Sequence, residues 1–378
     1  MPCDHIALRL PRAVLDIDVC SPQFGDHRRY RYDAARATLE PLPLDGRAAP
    51  RPNRYVELPL LYTLQLVRSL RGEGFIEELL RRRGAHGGAP TLEVTLAADN
   101  GFYSQVAELR ARGLPLSADA LASLPPMLPP TRDAAGEVAK TGLGSSATLV
   151  TSLVAALLQC LGEIELPAAE GAPAAAAPTA GCSLETLHAL AQLSHCAAQG
   201  KVGSGFDVCV ATHGSQRYCR FTPALLAEAL RAADGAAPAD DVLRRSVPTP
   251  GGHVAAAWDH SVAPFQLPPG VEVMMADVCA GAHTPSMVKK VQAWRKEHAA
   301  AAKVWAEYSD ASARLQAALL GLCAVHAKAA ATDEERLWNA PLARLGALDP
   351  ARWTDRNLKQ GDRELADALA AVHGGCTK

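Results

Sequence analysis

Apolar and polar positions repeat along this chain with two periods, and the switches between them divide it into elements. Residues 5–35 read as two strands, His5–Leu10 and Arg28–Tyr32, around a turn at Ser21-Pro22-Gln23. From Glu57 to Arg83 the leucines 61, 64, 66 and 70 fall at helical spacing. That helix closes on Arg81-Arg82-Arg83-Gly84, cations suited to the negative end of its dipole and read as a solvated helix end. Thr91–Ala97 alternates as a strand, and the Pro-rich stretch Leu124–Gly136 reads as a surface loop. After Lys140 a glycine turn runs into an unbroken apolar stretch to Leu157, the pattern of a buried helix. Pro167–Thr179 is an Ala/Pro/Gly tract with almost nothing to bury and reads as a flexible insertion. Ser183 caps a helix reaching Leu193, with Glu185 and Thr186 in its first turn. Ser215–Phe221 follows as a strand, Asp234–Asp240 as a loop, and 248–252 as a domain boundary. Val271–Val278 reads as a buried strand. A turn at Gly281–Thr284 then opens a helix with Thr284 as its cap and Pro285 and Ser286 in its first turn. From Ala299 onward the pattern is helical and Ala-rich, broken at Asp349-Pro350.

Composition narrows the class without naming a chemistry. A chain of 378 residues can bury a large core and suggests two domains. Its 48% hydrophobic and 21% charged content is that of a soluble globular protein. A formal net charge of −2 gives no reason to expect nucleic acid or an anionic membrane as partner. The 10 cysteines form no CxxC pair, which favours reduced thiols in a cytoplasmic setting. No apolar run has transmembrane length, and the first residues carry no signal pattern.

Three stretches carry candidate chemistry. In Gly142-Leu143-Gly144-Ser145-Ser146-Ala147 the glycines let backbone approach a ligand, and the serines offer caps or hydroxyls. Such a helix start suits a phosphate, although no Walker Gly-Lys-[Ser/Thr] follows, and a plain capped helix start fits the residues equally. In the second stretch, glycines 200, 203 and 205 precede Phe206, expected to pack inward, and Asp207. Asp207 either points into a cleft or caps the segment after it. In the third, Lys289 and Lys290 lie one turn into their helix, as a solvated face or as partners for an anion. His188 and His195, seven apart on one helix, read as core or interface side chains, because no third metal ligand stands near them in sequence.

The G-L-G-S-S-A loop resembles the second motif of the GHMP small-molecule kinases, and its Lys140-Thr141 prefix resembles the eukaryotic-type phosphomevalonate kinases. His195-Cys-Ala-Ala-Gln-Gly-Lys-Val-Gly-Ser-Gly-Phe-Asp207 and Thr284-Pro-Ser-Met-Val-Lys-Lys290, with Trp294 beyond, resemble two further stretches of that family in the same order. Asn100-Gly101-Phe102-Tyr103-Ser104 resembles another, with Gly101 where an aspartate is usual. The resemblance implies an α+β GHMP kinase fold. Residues 1–250 would form a ribosomal-protein-S5-like ATP-binding domain, and 251–378 a partial ferredoxin-like domain. It also implies a chain incomplete at both ends. Residues 1–50 hold no Pro-Gly-Lys motif, and Gly374-Gly375-Cys376-Thr377-Lys378 stands where a third glycine-rich motif is expected.

By that resemblance the chain transfers the γ-phosphoryl group of ATP to 5-phosphomevalonate. Residues 142–147 would hold the nucleotide, with Ser145 or Ser146 on Mg2+. Asp207 would sit beside the acceptor as proton acceptor or orienting partner, with Lys140 assisting catalysis. Gly203, Ser204, Gly205, Thr284, Ser286, Lys289 and Lys290 would bind the substrate. A cytoplasmic or peroxisomal location goes with this reading. Another GHMP kinase, or a non-catalytic binding protein of the same fold, are the alternatives.

Overall fold

In a computed structural model the chain is a mixed helix-and-sheet, α+β protein. It describes residues 14–376 apart from 45, 47, 49, 73, 77, 80–90, 133–135, 167–180, 233–239, 251–257, 276–283, 332–335, 356–357 and 360–361. The described residues fall into two compact units, one reaching Ala263 and the other made of 264–275 and the described residues from 284 onward.

The first unit begins with strands β1 (Val14–Ser21), β2 (Asp26–Asp33) and β3 (Thr38–Leu42), helix α1 (Arg54–Arg71) and strand β4 (Thr91–Thr95). The sheet order is β3-β2-β1-β4, with β4 parallel to β1 and the other pairs antiparallel. Strict alternation sets the register of β1: Leu15, Ile17 and Val19 are buried, while Asp16 and Asp18 face outward. There Asp16 meets Arg31, its cross-strand partner, at 2.7 Å. The expected strand Arg28–Tyr32 lies inside β2 and the turn at Ser21–Gln23 is present. The other strand of that pair is Val14–Ser21, whereas His5–Leu10 falls outside the described residues.

Short helices α2 (Val106–Ala111) and α3 (Ala118–Ala122) lead to the central helices α4 (Ser145–Cys160), α5 (Leu184–Gln199) and α6 (Phe206–His213). Helix α4 buries Val150, Leu153, Val154, Leu157 and Leu158 in the core shared with α1 and α5, each worth roughly 1.5–3 kcal/mol. A capping box starts α5: the Ser183 hydroxyl accepts from Thr186 N–H, and Thr186 answers to the Ser183 backbone. The helix then runs past Leu193 to Gln199, because Leu187 to Ala197 are all buried and only Gly200, at φ +68°, turns the chain out. Strand β5 (Gln216–Cys219), helices α7 (Ala227–Ala232) and α8 (Asp240–Ser246) and strand β6 (Ser261–Pro264) complete this part, with β6 pairing β5.

The second unit contains α9 (Thr284–Glu297), α10 (Ala301–Ala330), α11 (Arg336–Gly346) and α12 (Arg363–Cys376). Its small core gathers Leu322, Trp338, Leu345, Leu365 and Ala366. Arg344 forks onto both oxygens of the buried Asp362 at 3.0 and 2.6 Å, and this pairing holds the carboxyl below its ordinary value. The expected buried strand Val271–Val278 differs: its described residues, 271–275, have no regular structure, and Met274 is 94% exposed. Among the described residues no strand pairs with it, so its period-2 pattern has no ladder to join. No described helix is long and apolar enough to cross a membrane.

Candidate functional site

The glycine turn at 142–144 is held from the segment that follows β4. Tyr103 bridges Lys140 through the backbone, Thr141 N–H donates to Phe102 O at 3.2 Å, and the Thr141 hydroxyl donates to Gly101 O at 2.7 Å. Gly142 and Gly144 both sit in the left-handed region, at φ +87° and +75°, where a side chain is strained. Gly144 is the N-cap of α4, and no side chain caps the helix. Ser145 and Ser146 are thus its first helical residues, and the expectation that they cap it does not hold. The consequence is chemical. The N–H groups of the first turn keep their capacity for an anion, and both hydroxyls are turned to other partners.

Those partners come from two directions. The Ser145 hydroxyl contacts the Tyr103 phenol, whose pKa is pushed up by burial and pulled back by that contact. The Ser146 hydroxyl lies 3.2 Å from His195 Nε2 on α5. Gln199 Nε2, one turn further along α5, lies 3.1 Å from the same nitrogen. An amide nitrogen can only donate, so His195 Nε2 accepts and the ring proton resides on Nδ1. That Nδ1 faces Asp207 Oδ2 at 4.0 Å, an electrostatic contact longer than a hydrogen bond. Burial lowers the His195 pKa, Lys201 adds to this and Asp207 opposes it. A neutral imidazole therefore faces the carboxylate.

Asp207 enters through a second glycine turn. Gly205 starts α6 at φ +83°. A Cβ there would lie 2.7 Å from Gln192 Oε1, 2.8 Å from the Tyr218 hydroxyl and 2.9 Å from Phe221 Cε1. The turn is further tied by Tyr218 to Ser204 O and by Arg220 to Gly203 O, at 3.3 and 2.6 Å. Asp207 follows in the first turn of α6, with Oδ1 accepting from Val208 N–H at 3.0 Å. Phe206, expected to pack inward, is 60% exposed, because α6 presents its Val208 and Cys209 side to the core. The two turns meet: a Cβ on Gly144 would stand 3.4 Å from Asp207 Cβ. An anion-accepting helix start and an oriented carboxylate thus touch, with His195 joining them from beneath.

Of the residues singled out in the sequence, 142–147, 203–205 and Asp207 gather here, and Lys140 lies exposed at the entrance to the loop. Ser286, Lys289 and Lys290 are exposed on α9 of the second unit, whose first residue is Thr284. His195, Gln199 and Tyr103 are additions. His195 opens the stretch that ends in Asp207, and Gln199 follows at i+4 on the same helix face, so spacing alone could have paired them.

No family model matches the chain, and no solved structure matches it. Among curated proteins it is 35% identical over 317 residues to "Phosphomevalonate kinase, peroxisomal" of Arabidopsis thaliana, covering 80% of this chain and 58% of that protein. It is 34% identical over 366 residues to "Phosphomevalonate kinase ERG8" of Gibberella zeae, covering 95% and 72%. Against "Phosphomevalonate kinase erg8" of Aspergillus fumigatus the identity is 38% over 213 residues, 55% of this chain and 38% of that protein. The chain therefore spans less than two thirds of the Arabidopsis relative's length and nearly three quarters of the Gibberella one. On this likeness, extending through both glycine turns, the chain belongs to the phosphomevalonate kinase family.

Proposed function

We propose that this chain transfers the γ-phosphoryl group of ATP to 5-phosphomevalonate, giving 5-diphosphomevalonate and ADP. The observation that carries the reading is the close approach of Gly144 to Asp207, which would put a nucleotide-phosphate cradle beside the group that handles the acceptor. Family membership supports ATP as the donor and a small molecule as the acceptor. It also supports a GHMP-type fold, in which we take residues 1–250 as the ATP-binding domain and 251–378 as its companion.

Phosphoryl transfer asks for position and charge neutralisation more than for covalent help. The uncapped first turn of α4 supplies N–H donors to the nucleotide phosphates, and Gly142, with nothing within 4 Å of its would-be Cβ, leaves them room. The hydroxyls of Ser145 and Ser146 are the oxygen ligands available there for Mg2+, which when bound neutralises phosphate charge. The acceptor is itself a phosphate with a second pKa near 6, so it arrives mostly as a dianion. Asp207 takes the proton from the minority monoanion and orients the attacking oxygen, while His195 holds the carboxylate in place. A carboxylate beside a dianion needs cations, and Lys140, exposed at the entrance to the loop, fits that requirement. A cytoplasmic location accords with the described cysteines, all free thiols, while the Arabidopsis relative's name points to the peroxisome.

The test is ADP release with 5-phosphomevalonate, mevalonate and homoserine offered separately, alongside nucleotide binding measured directly. Turnover confined to 5-phosphomevalonate is expected. Preference for another acceptor, or nucleotide binding without turnover on any, would overturn the assignment.

A further inference from the structure

Behind the catalytic face the same two helices meet again, through groups the phosphoryl-transfer reading does not use. His188 is fully buried on α5, and among the described residues neither of its ring nitrogens has a hydrogen-bond partner. His213, at the end of α6, leaves its Nε2 unpartnered too. A buried imidazole without partners is costly and uncommon, so its surroundings call for an explanation. Those surroundings are soft donors. One ligand atom each from His188, Cys209 and His213 lie within 4.8 Å of one another. Cys209 and His213 are four apart on α6, so both present to α5 on one helix face.

We propose that His188, Cys209 and His213 bind one zinc ion, joining α5 to α6. Metal–nitrogen and metal–sulfur bonds of about 2.0–2.3 Å set tetrahedral donor separations of about 3.4–3.6 Å, which rotations of these side chains can reach. Two imidazoles and a thiolate suit zinc and exclude magnesium or calcium, which take oxygen ligands. Zinc takes neutral imidazoles and a thiolate, so loading releases the Cys209 thiol proton. Water takes the fourth position, as in other sites with three protein ligands. A second set, Glu185, His188 and His260, competes for the same His188. It is the weaker one, because Glu185 is exposed and already lies 3.3 Å from His260. The His260 ring, 4.8 Å from that of His188, and the Trp258 ring, 5.9 Å away, instead pack beside the His188 ring.

The position gives the ion a role. Cys209 and Asp207 ride on the same eight-residue helix, and His188 and His195 stand two turns apart on α5. Zinc would thus fix from behind the helix whose front carries the carboxylate.

The experiment titrates chelator-treated protein with Co2+. Saturation at one equivalent is expected, with a thiolate-to-cobalt band in the near ultraviolet and strong tetrahedral bands in the visible, all erased by Zn2+. Cys209→Ser should remove the near-ultraviolet band. His213→Gln, at a half-buried position where folding is less at risk than at His188, should weaken binding by at least about 10-fold. Cys219→Ser, altering an exposed thiol on β5, should leave the spectrum unchanged. No saturable band in the wild-type protein, or an undiminished band in Cys209→Ser, overturns the proposal.

Discussion

Replacing Gly205 with alanine should unfold the first unit's site and core together, and the cost can be worked out from its surroundings. The residue sits at φ +83°, so any side chain incurs about 1–2 kcal/mol of backbone strain. The added Cβ would also lie at 2.7, 2.8 and 2.9 Å from Gln192, Tyr218 and Phe221. Moving one neighbour leaves the other two in place, and Gln192 and Phe221 are buried, so overpacking adds about 1–3 kcal/mol. The sum is about 2–5 kcal/mol. Two other glycines separate the terms. Gly200, also left-handed at φ +68° and with nothing within 4 Å, should show the backbone strain alone when changed to alanine. Gly203 lies outside the left-handed region, its would-be Cβ 3.7 Å from Gln199, and should tolerate alanine within about 1 kcal/mol. Urea unfolding followed by circular dichroism measures all three. If Gly205→Ala costs no more than Gly200→Ala, the turn is not packed against α5 and β5 as described.

Asp207→Asn keeps the shape and removes the charge, so kcat should fall on the order of 100-fold while nucleotide binding holds; kcat within a few-fold of wild type would dismiss the role given to the carboxylate. Ser145→Ala and Ser146→Ala, compared in the same ADP-release assay, should raise the nucleotide KM, lower turnover, or both, and unchanged constants for both would leave the loop as a helix start only. The Asp362 carboxyl is held low by Arg344, so its stabilising contribution is complete above the unfolded value near 3.9 and lost as pH falls through the folded value. Arg344→Met should flatten that acid dependence in a pH series of unfolding curves, and an unchanged slope would show that the pair does not set it.

What could be read from the residues depended on whether the signal was local. The capping box at Ser183, the glycine turn before Ser145 and the alternation that became β2 and β4 are carried by residues within a few positions of one another. The pairing of Gly144 with Asp207 is not, because only the packing of α4 against α6 brings residues so distant in sequence into contact. His195 was read as a core or interface residue, and it is buried; its link to Ser146 and Asp207 needed three helices in place. Val271–Val278 failed for the converse reason: a strand pattern is a request for a neighbour, and among the described residues none answers.

Helix α5 gives the site a particular kind of rigidity. Residues 186 to 197 are buried without interruption, and the same helix supplies His195, which faces the carboxylate, and Gln199, which pairs with His195. The floor of the site is therefore also the centre of the hydrophobic core, and it cannot loosen by a local opening that spares the rest. Heat inactivation and loss of the fold should then coincide, with no milder temperature at which the protein is folded but idle. Adjustment to substrate must come from the side that is not core: the glycine turns and the exposed face of α6.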